Sequence, residues 1–198
     1  HLCDRRQRQM CIRDRTYPYW ARFRGVMYAG LNSKVIIRKP LLMTSRFIHF
    51  GYDIGIQKNC RIEGISLYEG IVYNPRIILN DGVSIQQNLH LTCAECIEIG
   101  QYTAIGANVT ITDIDHPYDD IHLPIEFQQL RVLPVKIGED CKIYNNAVIL
   151  SGTQIGKHCV VGANSVVKGK FPDYCVIAGI PARIIKRYNP VLGIWEKM

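Results

Sequence analysis

No apolar run in this 198-residue chain approaches the ~20 residues that a membrane-spanning helix needs. A basic segment leading into a short apolar one is also missing from its start, which predicts no secretory signal and a cytoplasmic protein. With 47% hydrophobic and 21% charged residues, the chain lacks the polar bias of disordered proteins and the monotony of fibrous ones. Acidic residues are scarce only at the front. Residues 1–50 carry eleven Lys/Arg against two Asp/Glu, and residues 51–198 carry thirteen against fifteen. The net charge of +7 therefore sits in a leader, with no basic groove and no nucleic-acid motif beside it, so a nucleic-acid partner is not expected. Eight cysteines are present, but a chain of this length with no secretory signal is expected to keep them reduced.

The chain opens on His1, and residues 6–15 show neither a helical nor a strand period. The expectation is a non-native or disordered leader over 1–15, followed by an N-terminal cap over 16–50. Within that cap, residues 18–30 read as a short aromatic-rich helix. It either covers the first unit of the fold or makes weak peripheral contact with a membrane.

From Ile137 onward the pattern is regular. Ile137, Ile143, Ile149, Ile155, Val161 and Val167 are six residues apart, and the residue four places after each of the first five is small: Cys141, Ala147, Thr153, Cys159, Ser165. The same hexad runs upstream in shorter groups, Ile99–Ile105–Ile111, Leu79–Ile85–Leu91 and Ile56–Ile62, with phase slips between groups. A period of six fits neither a helix nor a simple strand. It fits a short strand, a turn and another short strand, three of which make a triangular coil. The large aliphatic fills each face and the small residue lies near the corner. Stacked coils form parallel sheets, hence a parallel β-helix. Glycine after the aliphatic, at Gly138, Gly156 and Gly162, suggests turns of positive φ, and Asn108, Asp140 and Asn146 suit such corners. Cys141 and Cys159 fall on small inward positions, where free cysteine packs as a small hydrophobe.

Two blocks go beyond the bare repeat. One runs from Ile99 through Asp113-Ile-Asp-His116-Pro-Tyr; the other runs from Pro134 through the coils to Ala178-Gly-Ile-Pro-Ala-Arg183. Over residues 50–188 they resemble the hexapeptide-repeat O-acetyltransferases, especially bacterial enzymes acting on capsule, O-antigen and other sugars. The resemblance implies an all-β, left-handed parallel β-helix over 51–180, with a protruding loop at 113–134 and a C-terminal extension at 181–198. It also implies a homotrimer with each site between two neighbours, acetyl-CoA as donor, a sugar or glycan acceptor and no metal. The step from Ile111 to Ile137 is 26 residues, which requires a loop. His116 stands at its base; histidine is the side chain best suited to general-base work near neutral pH, and the resemblance makes this one catalytic.

The resemblance further places Gln86, Asn88, His90 and Tyr144 beside the acceptor. It assigns Asn145 and Ala163 to the pantetheine groove, and Lys168, Arg183 and Lys186 to the phosphates of coenzyme A. Turn chemistry is an equal reading of Gln86, Asn88 and His90. Many relatives carry Trp-Ile-Gly where this chain has Lys142-Ile143-Tyr144. Asp113, Asp115, Asp119 and Asp120 read mostly as solvated loop charges. Cys93-x-x-Cys96 lacks the context of a redox pair. The tail 189–198 suggests a terminal helix. Three alternatives remain: an N-acetyltransferase of a nucleotide amino sugar, a γ-carbonic-anhydrase-like metalloenzyme using His90, His116 and His122, and a non-catalytic scaffold.

Overall fold

The computed structural model describes residues 19–31 and 33–198; the expected leader over 1–15 lies outside them. Hexads become short parallel strands in three sheets. The first face stacks Ile37, Ile56, Ile85, Ile105, Ile143, Val161 and Ile177. The second stacks Met43, Ile62, Leu91, Ile111, Ile149 and Val167. The third stacks Phe50, Leu79, Ile99, Ile137, Ile155 and Phe171. These residues line one continuous apolar core inside a left-handed β-helix. The small residues four places on, Cys141, Ala147, Thr153, Cys159 and Ser165, are all buried.

The phase slips obey a rule. From first face to second, and from third face to first, every step is six residues. From second to third the steps are 7, 17, 8, 26, 6 and 4 residues. Every insertion thus leaves the prism along one edge. It is a hairpin at 66–73, in which Leu67–Tyr68 pairs with Ile71–Val72, a tight turn at Ala94 and Glu95, and the loop at 113–134.

The glycine expectation needs correction. Neither Gly138 nor Gly156 nor Gly162 is among the residues of positive φ; Gly162, where a Cβ would lie 3.0 Å from that of Ala178, is less tightly confined than the other two. A Cβ on Gly138 would lie 2.6 Å from the Gly156 carbonyl carbon, and one on Gly156 would lie 2.7 Å from that of Pro172. Close coil-to-coil approach, not a left-handed turn, requires these glycines. The left-handed corners are held by Asn88, Asn108, Asn146 and Asn164 at one edge, and by Tyr102, Asp140, His158 and Tyr174 at another.

Both ends differ from expectation. The first coil starts at Ile36, so the β-helix includes residues assigned to the cap. Pro40, Met43 and Phe50 had hidden that coil among Ile and Val hexads. The helix Tyr19–Ala29 packs on the first strand through Ala21 and Gly25, where a Cβ on Gly25 would meet the Val35 carbonyl oxygen at 1.8 Å. Arg24 Nε donates to the Ile37 carbonyl at 3.1 Å. Trp20, Phe23 and Met27 point outward from the same helix. The tail is a strand, not a helix: Ala182–Asn189 and Ile194–Lys197 extend the first face as an antiparallel hairpin. Asn189 Oδ1 accepts the Val191 and Leu192 N–H groups, and Gly193 at φ 69° completes the turn. No described helix is long and apolar enough to cross a membrane.

Candidate active site

The chain leaves the second face after Thr110–Thr112 and enters the 113–134 loop along the insertion edge. Asp113 holds the exit. It is fully buried, and its carboxylate accepts the N–H groups of Ala94, Glu95 and Cys96 at 2.8, 2.9 and 2.8 Å, with the Cys93 thiol at 3.3 Å. One loop base is thereby fastened to the turn inserted in the coil above. Buried carboxylates survive in proteins when backbone donors replace water. The loop neck is an antiparallel pair of Ile114–Asp115 with Arg131–Val132. Its interior hangs on Gln128, whose side-chain amide donates to the carbonyls of Asp120 at 2.9 Å and Leu123 at 3.2 Å. Arg131 meets Asp119 at 2.7 Å, and Asp120 caps the His122 N–H. Of the four loop acids, Asp113 is structural rather than solvated.

His116 follows this neck and is half-buried. Its Nδ1 is buried and has no hydrogen-bond partner. The Tyr68 ring, from the 66–73 hairpin, lies edge-on to the imidazole at 5.7 Å between centroids and 72° between planes. The Tyr68 hydroxyl donates to the Glu126 carbonyl oxygen at 2.6 Å, with the Glu126 carboxylate at 3.0 Å. Sequence reasoning missed Tyr68. Its only signal was the 17-residue step from Ile62 to Leu79, which marks an insertion without saying where it reaches.

The other expected site residues are dispersed over one chain. His90 stands exposed on the second face, in register with Thr110. On the same face Thr92 and Thr112 share a hydroxyl contact at 3.0 Å. Asn88 is taken up in a ladder, donating to Asn108 at 2.8 Å; Asn108 donates to Asn146 and Asn146 to Asn164, each at 3.0 Å. Turn chemistry therefore accounts for Asn88. Gln86, Tyr144, Asn145 and Ala163 lie along the same corner, between the first and second faces. Tyr144 is exposed beside Lys142, and Asn145 caps the Ala107 N–H at 3.0 Å. The three cations divide. Lys168 sits 4.0 Å from Asp115, near His116, whereas Arg183 and Lys186 lie on the strand Ala182–Asn189, paired with Ala178 and Val176. Six residues of strand and corner, at ~3.3 Å each, separate the Asn145 corner from the His116 edge by at most about 20 Å.

The Cys93-x-x-Cys96 pair is poorly suited to act as a nucleophile. Burial, and then the Asp113 charge, push the Cys93 thiol well above its ordinary range, and burial raises Cys96 as well. The thiolate is the reactive form. Cys141, Cys159 and Cys175 stack in successive coils, each sulfur of the first two accepting the next cysteine's N–H at 3.5 and 3.4 Å. Among the described residues, no group of three His, Cys, Asp or Glu side chains could hold a metal ion, and His90, His116 and His122 are not gathered within the chain.

A parallel β-helix of hexad coils interrupted by one long loop is the architecture of hexapeptide-repeat transferases. Residues 134–169 match the family model described as bacterial transferase hexapeptide (six repeats). The chain is 39% identical over 170 residues to the Escherichia coli K12 protein named "Putative lipopolysaccharide biosynthesis O-acetyl transferase WbbJ", covering 82% of this chain and 83% of that one. It is 32% identical over 111 residues to the galactoside O-acetyltransferase of the same organism, covering 54% of this chain and 53% of the relative. Among solved structures, the hexapeptide-repeat acetyltransferase VCA0836 of Vibrio cholerae superposes with a TM-score of 0.53 at 30% identity, over 57% of this chain and 63% of that one. The D94A mutant of AntD, an N-acyltransferase from Bacillus cereus, shares the fold with a TM-score of 0.67 at 19% identity, over 81% of this chain and 84% of its own. The chain belongs to the hexapeptide-repeat acetyltransferase family.

Proposed function

We propose that the protein transfers acetyl from acetyl-CoA to a hydroxyl of a sugar or surface-polysaccharide precursor, with His116 as general base. The observation that carries this reading is His116 itself. It is half-buried at the base of the long loop, and its Nδ1 is left without a partner inside the chain. A buried polar atom normally finds a partner. An orphan here fits a site that a ligand or a second chain completes. Likeness to a lipopolysaccharide O-acetyl transferase over 82% of the chain supports the acceptor class.

His116 takes the proton of the acceptor hydroxyl as the oxygen attacks the thioester carbonyl. The imidazolium so formed returns that proton to the departing sulfur, and the acetyl group ends on the sugar oxygen. The donor supplies an activated acyl carbon, so no acyl-enzyme is needed, in keeping with the raised Cys93 and Cys96 thiols. Arg183 and Lys186 hold the phosphate end of coenzyme A, and Asn145 and Ala163 line the pantetheine path. Asn145 and Ala163 lie across the second face from His116, a separation that supports a site completed by a second chain. A homotrimer in which the His116 edge of one protomer meets the Asn145 corner of the next brings them together.

The test is calorimetric titration of acetyl-CoA into the purified oligomer, followed by thiol release with a panel of 4-nitrophenyl glycosides and one amino sugar. Saturable binding near one site per chain, with turnover on a glycoside, is the expected result. Absence of binding by a folded oligomer overturns the transferase reading, and turnover on the amino sugar alone overturns the hydroxyl acceptor.

A further inference from the structure

The 66–73 hairpin is an arm with a firm root. At its base the Gly64 N–H donates to Thr44 Oγ1 at 2.6 Å, and a Cβ on Gly64 would lie 2.5 Å from the Phe47 ring and 2.9 Å from Pro75. The Tyr73 N–H donates to the Ser66 carbonyl at 3.0 Å and closes the hairpin. The hairpin leaves the insertion edge two coils before the 113–134 loop, about 10 Å away at ~4.8 Å per coil. Tyr68 crosses that gap. Its hydroxyl reaches Glu126 in the loop, and its ring meets His116 at the loop base.

Two facts give that contact a meaning. A catalytic imidazole is usually oriented by a hydrogen bond to the nitrogen that does not take the proton. Here Nδ1 has no such partner in the chain, and Asp113, Asp115, Asp119 and Asp120 are engaged elsewhere. Orientation then falls to packing. The Tyr68 ring, at 5.7 Å and 72°, sits in the range where edge-to-face aromatic pairs are favourable. Partial desolvation and the nearby Glu126 carboxylate also push the Tyr68 phenol above its ordinary range, so it stays a hydrogen-bond donor at working pH.

We propose that Tyr68 is a positioning residue with two separable tasks: its ring sets the plane of the His116 imidazole, and its hydroxyl latches the 113–134 loop at Glu126. The first task rests on the general-base reading of His116; the second does not.

Two substitutions separate the tasks. Tyr68→Phe keeps the ring and removes the latch, while Tyr68→Leu removes both. Tyr68→Met serves as a second ringless variant. Losing one hydrogen bond is expected to speed amide hydrogen exchange at 119–130 about fivefold in all three, with exchange at 137–167 unchanged. On a glycoside acceptor, Tyr68→Leu and Tyr68→Met are expected to lower kcat at least tenfold with the KM for acetyl-CoA unchanged. Tyr68→Phe restores kcat to within about twofold of the parent and raises only the acceptor KM. Unaltered loop exchange in Tyr68→Phe overturns the latch, and this arm needs no substrate. Parental kcat in the ringless variants, or a loss that Tyr68→Phe does not rescue, overturns the positioning of His116. If His116→Ala itself retains turnover, the general-base reading fails instead and the latch still stands or falls by exchange.

Discussion

Replacing Asp113 by Ala strips three backbone N–H groups of their acceptor at once. The carboxylate takes Ala94, Glu95 and Cys96 at 2.8–2.9 Å with no exposure to solvent. Each buried donor left unmade costs about 1–3 kcal/mol, and water entering the vacated space recovers part of that. Breaking a buried charged cluster on one side typically costs 3–5 kcal/mol, so we expect a loss of about 4 kcal/mol. For a chain of this size one kcal/mol corresponds to roughly 2–4 °C, which puts the fall in Tm near ~10 °C at fixed protomer concentration. Asp113→Asn keeps the shape but turns an NH2 group toward an N–H, and is expected to lose about half as much, roughly 2 kcal/mol. Hydrogen exchange gives the local assay: amides 94–96 lose protection while those of 137–167 keep it. Turnover falls with them, because the clamp fixes the base from which His116 projects. A Tm within 2–3 °C of the parent (below about 1 kcal/mol), or protected amides at 94–96, refutes the clamp.

Three further outcomes follow from the placement of the site residues. Co-assembling His116→Ala chains with Arg183→Ala/Lys186→Ala chains, each inactive alone, should restore about a quarter of parental activity, since a quarter of random interfaces pair two intact halves; no recovery means that the site lies within one protomer. The double variant should weaken coenzyme A more than dephospho-CoA in calorimetry, and equal losses show that Arg183 and Lys186 do not read the 3′-phosphate. Because the Cys93 and Cys96 thiols titrate above their ordinary range, less thiolate is present at pH 8 than in a free cysteine, so alkylation in the native protein should be slow and leave turnover intact. Fast labelling of Cys96 with loss of activity points to a thiol in the reaction.

The core was legible because its code is local. Each hexad fixes one inward residue, and two of the three corners never change the step, so Ile137 to Val167 could be laid out without coordinates. Less was legible wherever insertions meet. Tyr68 and His116 lie in separate insertions, and only the closed triangle puts both on one edge. Asp113 looked like its solvated neighbours, since nothing in Asp113-Ile-Asp says which carboxylate points inward toward the Ala94 turn. Tail signals were present and misjudged: Asn189 and Gly193 at the ends of a short turn, with Ile184, Ile185 and Ile194 flanking, describe a hairpin better than a helix. Gln86, Asn145 and Ala163 lie on a different corner from His116 within one chain, and a hexad pattern says which face a residue stacks on but not which corners act together.

The most direct test of the account is coenzyme A thiol release from acetyl-CoA with a glycoside acceptor, run side by side for the parent protein and His116→Ala. The account predicts that both bind acetyl-CoA with similar affinity while the variant loses about 10²- to 10⁴-fold in turnover, the usual worth of a general base. Near-parental turnover by His116→Ala would contradict it and remove His116 from the chemistry.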